Sequence, residues 1–374
     1  MGLPRILIVE PYYGGSHRRF IEGIQLHVAA EWTLLSLPAR KWKMRMQLAA
    51  PWFAARLRAC KREERGFDAV LCSSFVDLAL LRVLLGQLPG WRRETRFCLY
   101  FHENQLAYPE RTASPSRQFA AINYTSALAA DRLAFNSSYN MNSFVTGCRS
   151  YLRQAVDQDV MASLAEIELK SDVLYPGIDY RPFDLVTEPP GDGLPVVVWN
   201  HRWEHDKNPE EFCRAVELLS HEGLAFSLIV LGQSFRTKPA CLARMATTLG
   251  ERLVHCGFAA EMDEYARLLR AGTIVVSTAL HEFFGMAILE AVRAGCRPLL
   301  PARLVYPELF PAEYLYGEGE FTDCLRRLIV SEQSSSFDQD KRYTEAFSWP
   351  RVAEHFRHWL VDESWQPVTA LNRP

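Results

Sequence analysis

The sequence predicts an α/β protein of two Rossmann-like, doubly wound domains facing across a cleft. Three observations predict it. The chain has 374 residues, long for one domain and comfortable for two at roughly 100–200 residues each. Short β-branched or apolar runs alternate with helical patterns, which means β-α-β units and a parallel sheet. That alternation occurs twice, with a Pro/Gly-rich break between.

In the first half the strand-like runs are 6–10, 32–37, 68–73, 96–101, 132–136 and 172–175. The helical patterns between them are 17–30, 75–85, 117–130 and 139–145. Tyr175-Pro176-Gly177-Ile178-Asp179 closes this block, and Thr187-Glu188-Pro189-Pro190-Gly191-Asp192-Gly193 reads as a linker. In the second half the strands are 195–200, 226–231, 252–255, 273–277 and 297–300, with helices at 209–219, 241–249, 262–270 and 286–294. A final helix, 349–362, has Pro350 in its first turn. The expected domains are 1–186 and 187–348, each built on its own parallel sheet. The helix and tail 349–374 are expected to pack back on the first domain. In open sheets of this kind ligands bind outside the carboxyl ends of the strands.

Composition narrows the class. Hydrophobic residues make up 48% and charged residues 23%, and the net charge is −2. The chain is no polycation, so any nucleic-acid contact needs a local patch. Nine cysteines show neither C-x-x-C pairs nor zinc spacing and read as reduced, mostly buried thiols. No run approaches the ~18 uncharged apolar residues of a membrane span, and the N-terminal segment 5–10 is expected to be a first strand instead of a signal region. The expectation is a cytoplasmic protein without stable membrane insertion.

Four segments carry candidate chemistry. In His281-Glu282-Phe283-Phe284-Gly285-Met286-Ala287-Ile288-Leu289-Glu290, seven residues separate the two glutamates. The segment runs from a strand into a helix start, where unpaired N–H groups and the dipole favour a phosphate. Glu282 and Glu290 suit sugar and ribose hydroxyls. The spacing alone equally fits a surface helix with two solvated glutamates. In Asn200-His201-Arg202-Trp203-Glu204-His205-Asp206-Lys207-Asn208-Pro209, Arg202 and Lys207 could clamp a diphosphate; an exposed charged loop fits as well. Tyr13-Gly14-Gly15-Ser16-His17 follows the first strand as a Gly-Gly turn able to approach a phosphate. It is neither a dinucleotide fingerprint nor a P-loop. Phe101-His102-Glu103-Asn104-Gln105 ends an apolar strand in polar side chains with no evident packing reason, so they are expected to face the cleft.

Together with Leu304-Val305-Tyr306-Pro307-Glu308, these strings resemble glycosyltransferase family 4 of the GT-B fold, and within it the tRNA-queuosine α-mannosyltransferase family. The resemblance spans nearly the whole chain. It implies a retaining transfer of mannose from GDP-mannose to the cyclopentene diol of queuosine in a tRNA anticodon, by front-face displacement in which the departing phosphate oxygen takes the acceptor proton. It also implies roles. Glu290 holds the ribose and Glu282 the sugar hydroxyls, with the N–H groups of Phe284, Gly285 and Met286 beside sugar and diphosphate. Arg202 and Lys207 hold the diphosphate, the Gly14 and Gly15 backbone closes over it, and His102 contacts the transferred sugar. Animal members are expected to carry a polar insertion between the halves, which this chain lacks.

No cofactor or metal is expected. The D-x-D triplets Asp157-Gln158-Asp159 and Asp338-Gln339-Asp340 do not follow strands and read as solvated surface, and Arg202 and Lys207 already supply positive charge. On the acceptor side the expectation takes in Ser16, His17, Asn104, Lys41, Trp42, Lys43 and Arg45. The span 40–65 holds nine Lys/Arg against Glu63 and Glu64, with Trp42, Trp52 and Phe53 interleaved. It fits an RNA-binding strip, an amphipathic helix with a solvated basic face, or a lipid-surface segment. Three other functions remain open at this level. One is the same chemistry on a lipid or small-molecule acceptor. Another is a non-catalytic nucleotide-sugar or RNA-binding protein of the same fold. The third is a sugar-nucleotide epimerase of similar architecture, which would convert the donor without an acceptor.

Overall fold

The computed structural model describes residues 2–107, 116–155, 157, 160–186, 193–232, 239–332 and 342–367. The Pro/Gly-rich stretch 187–192, the 333–341 segment with its D-x-D triplet, and Gln158 and Asp159 of the other triplet lie outside the described residues. Two units form. The first is Met1–Ile178 with Trp349–Pro374, and the second is Asp179–Ser348.

The first unit is built on strands β1 (Arg5–Tyr13), β2 (Glu31–Pro38), β3 (Ala69–Ser73), β4 (Arg96–Phe101), β5 (Arg132–Phe135) and β6 (Ser171–Val173), in the order β2-β1-β3-β4-β5-β6. All neighbours are parallel. Successive side chains of a strand point to opposite faces. Leu7 and Val9 accordingly enter one apolar cluster, with Phe53 and Leu57 of the helix Trp42–Ala59. Ile6 and Ile8 enter the other, with Phe20, Ile21 and Ile24 of the helix Gly15–His27. Burial on both faces is why these strands read as unbroken apolar runs.

The helix Trp349–Val361 completes the second of those faces with Val352, Phe356, Trp359 and Leu360. Its anchor is Trp349, 2% exposed. A Cβ on Gly23 would lie 2.0 Å from the indole, and one on Gly177 would lie 2.2 Å from it. Both glycines are thus fixed by close approach. Arg96 and Arg132 donate to the carbonyls of Leu360 and Trp359 at the helix end, satisfying groups the helix leaves open.

The second unit carries β7 (Val196–Asn200), β8 (Ser227–Leu231), β9 (Leu253–Gly257), β10 (Ile274–Val276), β11 (Arg297–Pro301) and β12 (Leu315–Tyr316), in the order β12-β11-β10-β7-β8-β9. The unit boundary falls after Ile178, eight residues before the expected 186. Residues 179–186 belong to the second unit because Arg293 draws them in. Its guanidinium bonds Asp184 at 2.7 Å and Glu345 at 3.0 Å and lies 4.8 Å from the Tyr180 ring centre. All nine cysteines are free thiols, six of them buried.

Each sheet has one point where the strand order reverses, between β1 and β3 in the first and between β7 and β10 in the second. Loops leaving opposite sides of such a point diverge and open a crevice at the carboxyl ends of the strands.

Candidate active site

In the second unit the loops after β7 and β10 are tied together at the switch point. The N–H groups of Leu280 and His281 both donate to the Asp206 carbonyl, at 2.8 and 3.2 Å. The Thr278 hydroxyl donates to the carbonyls of Lys207 and Asn208 and accepts from the Trp199 indole N–H. Gly232, after β8, must be glycine: its φ is 138°, and a Cβ there would lie 1.9 Å from the His201 carbonyl oxygen.

Lys207 sits inside this frame, 6% exposed. Its ammonium donates to the His281 carbonyl at 2.6 Å and to Glu282 Oε2 at 3.1 Å, and Asp206 Oδ2 lies at 3.3 Å. An ammonium has three donors, and each faces a protein oxygen here. Glu282 uses its other oxygen, Oε1, to accept from the N–H groups of Phe283 and Phe284 at 3.1 and 3.3 Å. Arg202 is about half exposed, with Glu204 at 3.9 Å.

Charge in this pocket is strongly biased. Burial pushes the Glu282 carboxyl up, but Lys207 and the Phe284 N–H outweigh it and hold it down at about 2. Burial and then Lys207 lower His201 to about 3 and His281 to about 4, so both are neutral at pH 7. His201 Nε2 is buried with no hydrogen-bond partner among the described residues. Because the folded value for Glu282 lies below its ordinary 4.5, the ionised carboxylate stabilises the fold above that pH and the contribution is lost as pH falls towards 2. The expected outcome is that the Tm advantage of wild type over Glu282→Gln shrinks between pH 5 and pH 2.5. An unchanged gap in thermal unfolding across that range would refute the assignment.

The helix Met286–Ala294 starts at this loop. Its N-cap, Gly285, has φ 82°, a left-handed conformation suited to glycine. No side chain caps it, so Met286 opens a helix end of the kind that accepts anions. Phe284 is buried, its ring 5.6 Å from Phe347. Glu290, on the second turn, is 1% exposed and accepts from the Tyr265 hydroxyl at 2.7 Å. Tyr265 in turn accepts from the Asn200 amide at 2.7 Å. The seven-residue spacing thus places Glu282 in the loop and Glu290 inside the helix, enclosed beneath Tyr265.

In the first unit the switch point gathers Glu10 of β1 with side chains from the helix that follows β1 and from the carboxyl ends of β3 and β4. Glu10 is 1% exposed and accepts from the Tyr12 N–H at 2.7 Å, the Ser73 hydroxyl at 3.1 Å and His17 Nδ1 at 3.1 Å. The His17 ring stacks on Phe75 at 5.3 Å and lies 4.2 Å from His102, centre to centre. Burial, and then His17, hold the His102 imidazole well below its usual range. Ligand atoms of Glu10, His17 and His102 lie within 4.8 Å of one another, close enough to consider a cation. Both Glu10 oxygens already accept from protein donors, so the group fits a hydrogen-bonded carboxylate–imidazole pair better. Gly14 is extended, and a Cβ on it would meet Ala39 Cβ at 2.5 Å; Gly15 begins its helix at φ 52°. Ser16 follows, exposed.

Asn104 corrects the sequence reading. It is fully buried. Its amide donates to Asn140 Oδ1 at 2.8 Å and Ser143 Oγ at 3.0 Å, and its carbonyl oxygen accepts from the N–H groups of Leu106 and Ala107. Asn104 organises the loop and has no free group for an acceptor. Trp42 also turns inward, with ring centres 5.8 Å from Phe75 and 5.2 Å from Phe119. Lys41 and Lys43 are exposed and Arg45 is half-buried. Sequence reasoning assigned no role to Glu10, Ser73, Asp206 or Tyr265. A carboxylate closing the apolar run Ile6-Leu7-Ile8-Val9-Glu10 was a usable signal; Ser73 and Tyr265 are recognised only through partners distant in sequence, and Asp206 through its tie to Leu280 and His281 as well as to the adjacent Lys207.

Residues 5–178 match the family described as tRNA-queuosine alpha-mannosyltransferase N-terminal, and residues 185–316 match glycosyl transferases group 1. The chain is 34% identical over 382 positions to the tRNA-queuosine alpha-mannosyltransferase of Drosophila melanogaster, covering 96% of this chain and 98% of that one. The chain belongs to the tRNA-queuosine alpha-mannosyltransferase family. It is a glycosyltransferase of GT-B fold. A more distant relative is the 2-deoxystreptamine glucosyltransferase of Streptomyces kanamyceticus, 24% identical over 65% of this chain and 62% of that one. Among solved structures, Anabaena Alr3699/HepE in complex with UDP and glucose aligns with TM-score 0.66 at 12% identity, over 94% of this chain and 98% of that one. Sucrose-phosphate synthase from Thermosynechococcus elongatus aligns with TM-score 0.65 at 14% identity, over 95% and 97%. These two likenesses support the fold alone.

Proposed function

We propose that the chain transfers mannose, with retention, from GDP-mannose to queuosine in a tRNA anticodon. The observation that carries this reading is the full-length relationship to a tRNA-queuosine alpha-mannosyltransferase. The second unit supplies donor chemistry that fits it. Arg202 and Lys207 are assigned to the diphosphate. A phosphate oxygen takes the place of one carboxylate on the Lys207 ammonium, which releases Glu282 towards the sugar hydroxyls. The open N-terminus at Gly285 and Met286, with the Phe284 N–H, completes the anion site. Glu290 is assigned to the ribose, exchanging the Tyr265 hydroxyl for a ribose hydroxyl. Positive charge fixed beside the departing diphosphate lowers the barrier because it needs no reorganisation as charge develops. The Gly14 and Gly15 backbone, Ser16, His17 and His102 are the first unit's assigned share of substrate contacts.

We assign no metal or cofactor to the reaction, since Arg202 and Lys207 supply the cationic charge. We assign the protein to the cytoplasm, where a tRNA acceptor is available; no described helix is long and apolar enough to cross a membrane. The test is transfer of labelled mannose from GDP-mannose to total tRNA, with tRNA lacking queuosine as control and other nucleotide sugars in parallel. Label is expected only in queuosine-containing tRNA. Equal label in both pools, or label only on a lipid or small-molecule acceptor, would overturn the acceptor.

A further inference from the structure

The helix Trp42–Ala59 has two different faces. Met46, Ala49, Ala50, Phe53, Ala54 and Leu57 are buried. Outward, Met44 is 48%, Leu48 57% and Trp52 41% exposed. Spaced four apart, these three form one ridge. Contiguous large apolar side chains on a solvent face mark a contact surface more often than they occur by chance.

Cations frame the ridge. Lys43, Arg56 and Arg58 on the helix, Arg40 and Lys41 before it, and Lys61 and Arg62 after it are exposed. The Arg56 guanidinium lies 5.7 Å from the Trp52 ring centre. Among the described residues no carboxylate forms an ion pair with Lys43, Arg56 or Arg58. Arg65 is different: it is buried and donates to the carbonyls of Pro89, Arg58 and Cys60, so it belongs to the scaffold. The start of the same helix packs against the first unit's switch point: Trp42 contacts Phe75, and Phe75 stacks on His17.

We propose that this face holds the acceptor RNA, with phosphates on Lys43, Arg56 and Arg58 and an unpaired loop base stacked on Trp52 beside Arg56. The inference rests on the tRNA acceptor of the proposed function. Uncompensated cations fit a polyanion, and a part-exposed indole with a guanidinium over its ring fits base stacking with a cation–π contribution, which is sequence-tolerant. The surface therefore binds the tRNA whether or not it carries queuosine.

The test uses the full chain and direct binding of labelled tRNA, with and without queuosine, across a salt series. The variants are Lys43→Ala/Arg56→Ala/Arg58→Ala and Trp52→Ala. All four positions are exposed on a helix and alanine favours helix, so folding is retained. The triple variant is expected to lose roughly 10–100-fold in affinity for both tRNAs, and its log-log salt slope to fall by about 2–3. Trp52→Ala is expected to lose roughly 5–100-fold. GDP-mannose binding stays unchanged. Unaltered tRNA affinity and slope would overturn the proposal, as would loss of binding to phosphatidylserine vesicles with tRNA binding intact. Because binding is read without turnover, tRNA bound through this face but not mannosylated would count against the proposed reaction and not against the surface. Mannosylation undisturbed in both variants would count against the surface alone.

Discussion

Lys207→Met is expected to lower kcat/KM for mannosyl transfer by roughly 10²–10³, the scale on which removing one preorganised group at a developing charge acts. Two effects combine. The diphosphate loses a buried cation, and Asp206 and Glu282, at 3.3 and 3.1 Å from it, lose their shared counter-ion. Breaking a buried pair from one side costs about 3–5 kcal/mol, because the remaining charge is left uncompensated. Folding and catalysis must therefore be separated. Lys207→Met/Glu282→Gln removes the more buried of the two orphaned charges and leaves Asp206, so it is expected to recover part of the stability while transfer stays low. Lys207→Arg is expected not to rescue, since a planar fork cannot reproduce one ammonium serving three oxygens. Steady-state transfer beside thermal unfolding reads all three variants. A double variant that is stable and transfers at the wild-type rate would reduce Lys207 to a structural role.

Trp349→Ala is expected to destabilise the first unit by about 3–5 kcal/mol, the usual range for emptying a buried tryptophan site. For a unit of this size that is a Tm loss of roughly 6–20 °C. The indole stacks on His27 at 5.7 Å and meets Phe20 at 6.0 Å and Phe356 at 5.8 Å. Gly23→Ala is expected to destabilise too, since its Cβ would overlap the indole. In the Trp349→Ala background the same methyl enters vacated space, so the double variant should lose less than the sum of the two. Strict additivity in unfolding would show that Gly23 and Trp349 do not share one site.

The fold was legible because its signal is local. Eleven of the twelve strands announce themselves as short apolar runs, and the Gly and Pro clusters separate them. Leu315-Tyr316 was not legible, being two residues that become a strand only by pairing with Leu300 and Pro301. The unit boundary was misplaced for a related reason: composition marks the Pro-rich stretch, whereas Arg293, far along the chain, decides where residues 179–186 belong. At the site, loops after strands were the right places to look. The error at Asn104 arose because a polar residue ending a strand is also what a buried turn needs, and Asn140 and Ser143 lie more than thirty residues away. Glu10 was passed over because its partners, His17 and Ser73, come together only in the folded sheet.

The return of the chain to its first unit sets an order on biosynthesis. Residues 179–348, the whole second unit, separate Ile178 from the helix that Trp349 begins. At about 5–20 residues per second, roughly 10–35 s pass between synthesis of the first unit's last strand and arrival of its closing helix. During that interval Phe20, Tyr100 and their neighbours on that side of the sheet wait uncovered, and only the intervening segment can fold to completion on the ribosome. Early chain release or slowed elongation would strand an adhesive intermediate, so the yield of native protein depends on translation speed and chaperone supply as well as on final stability.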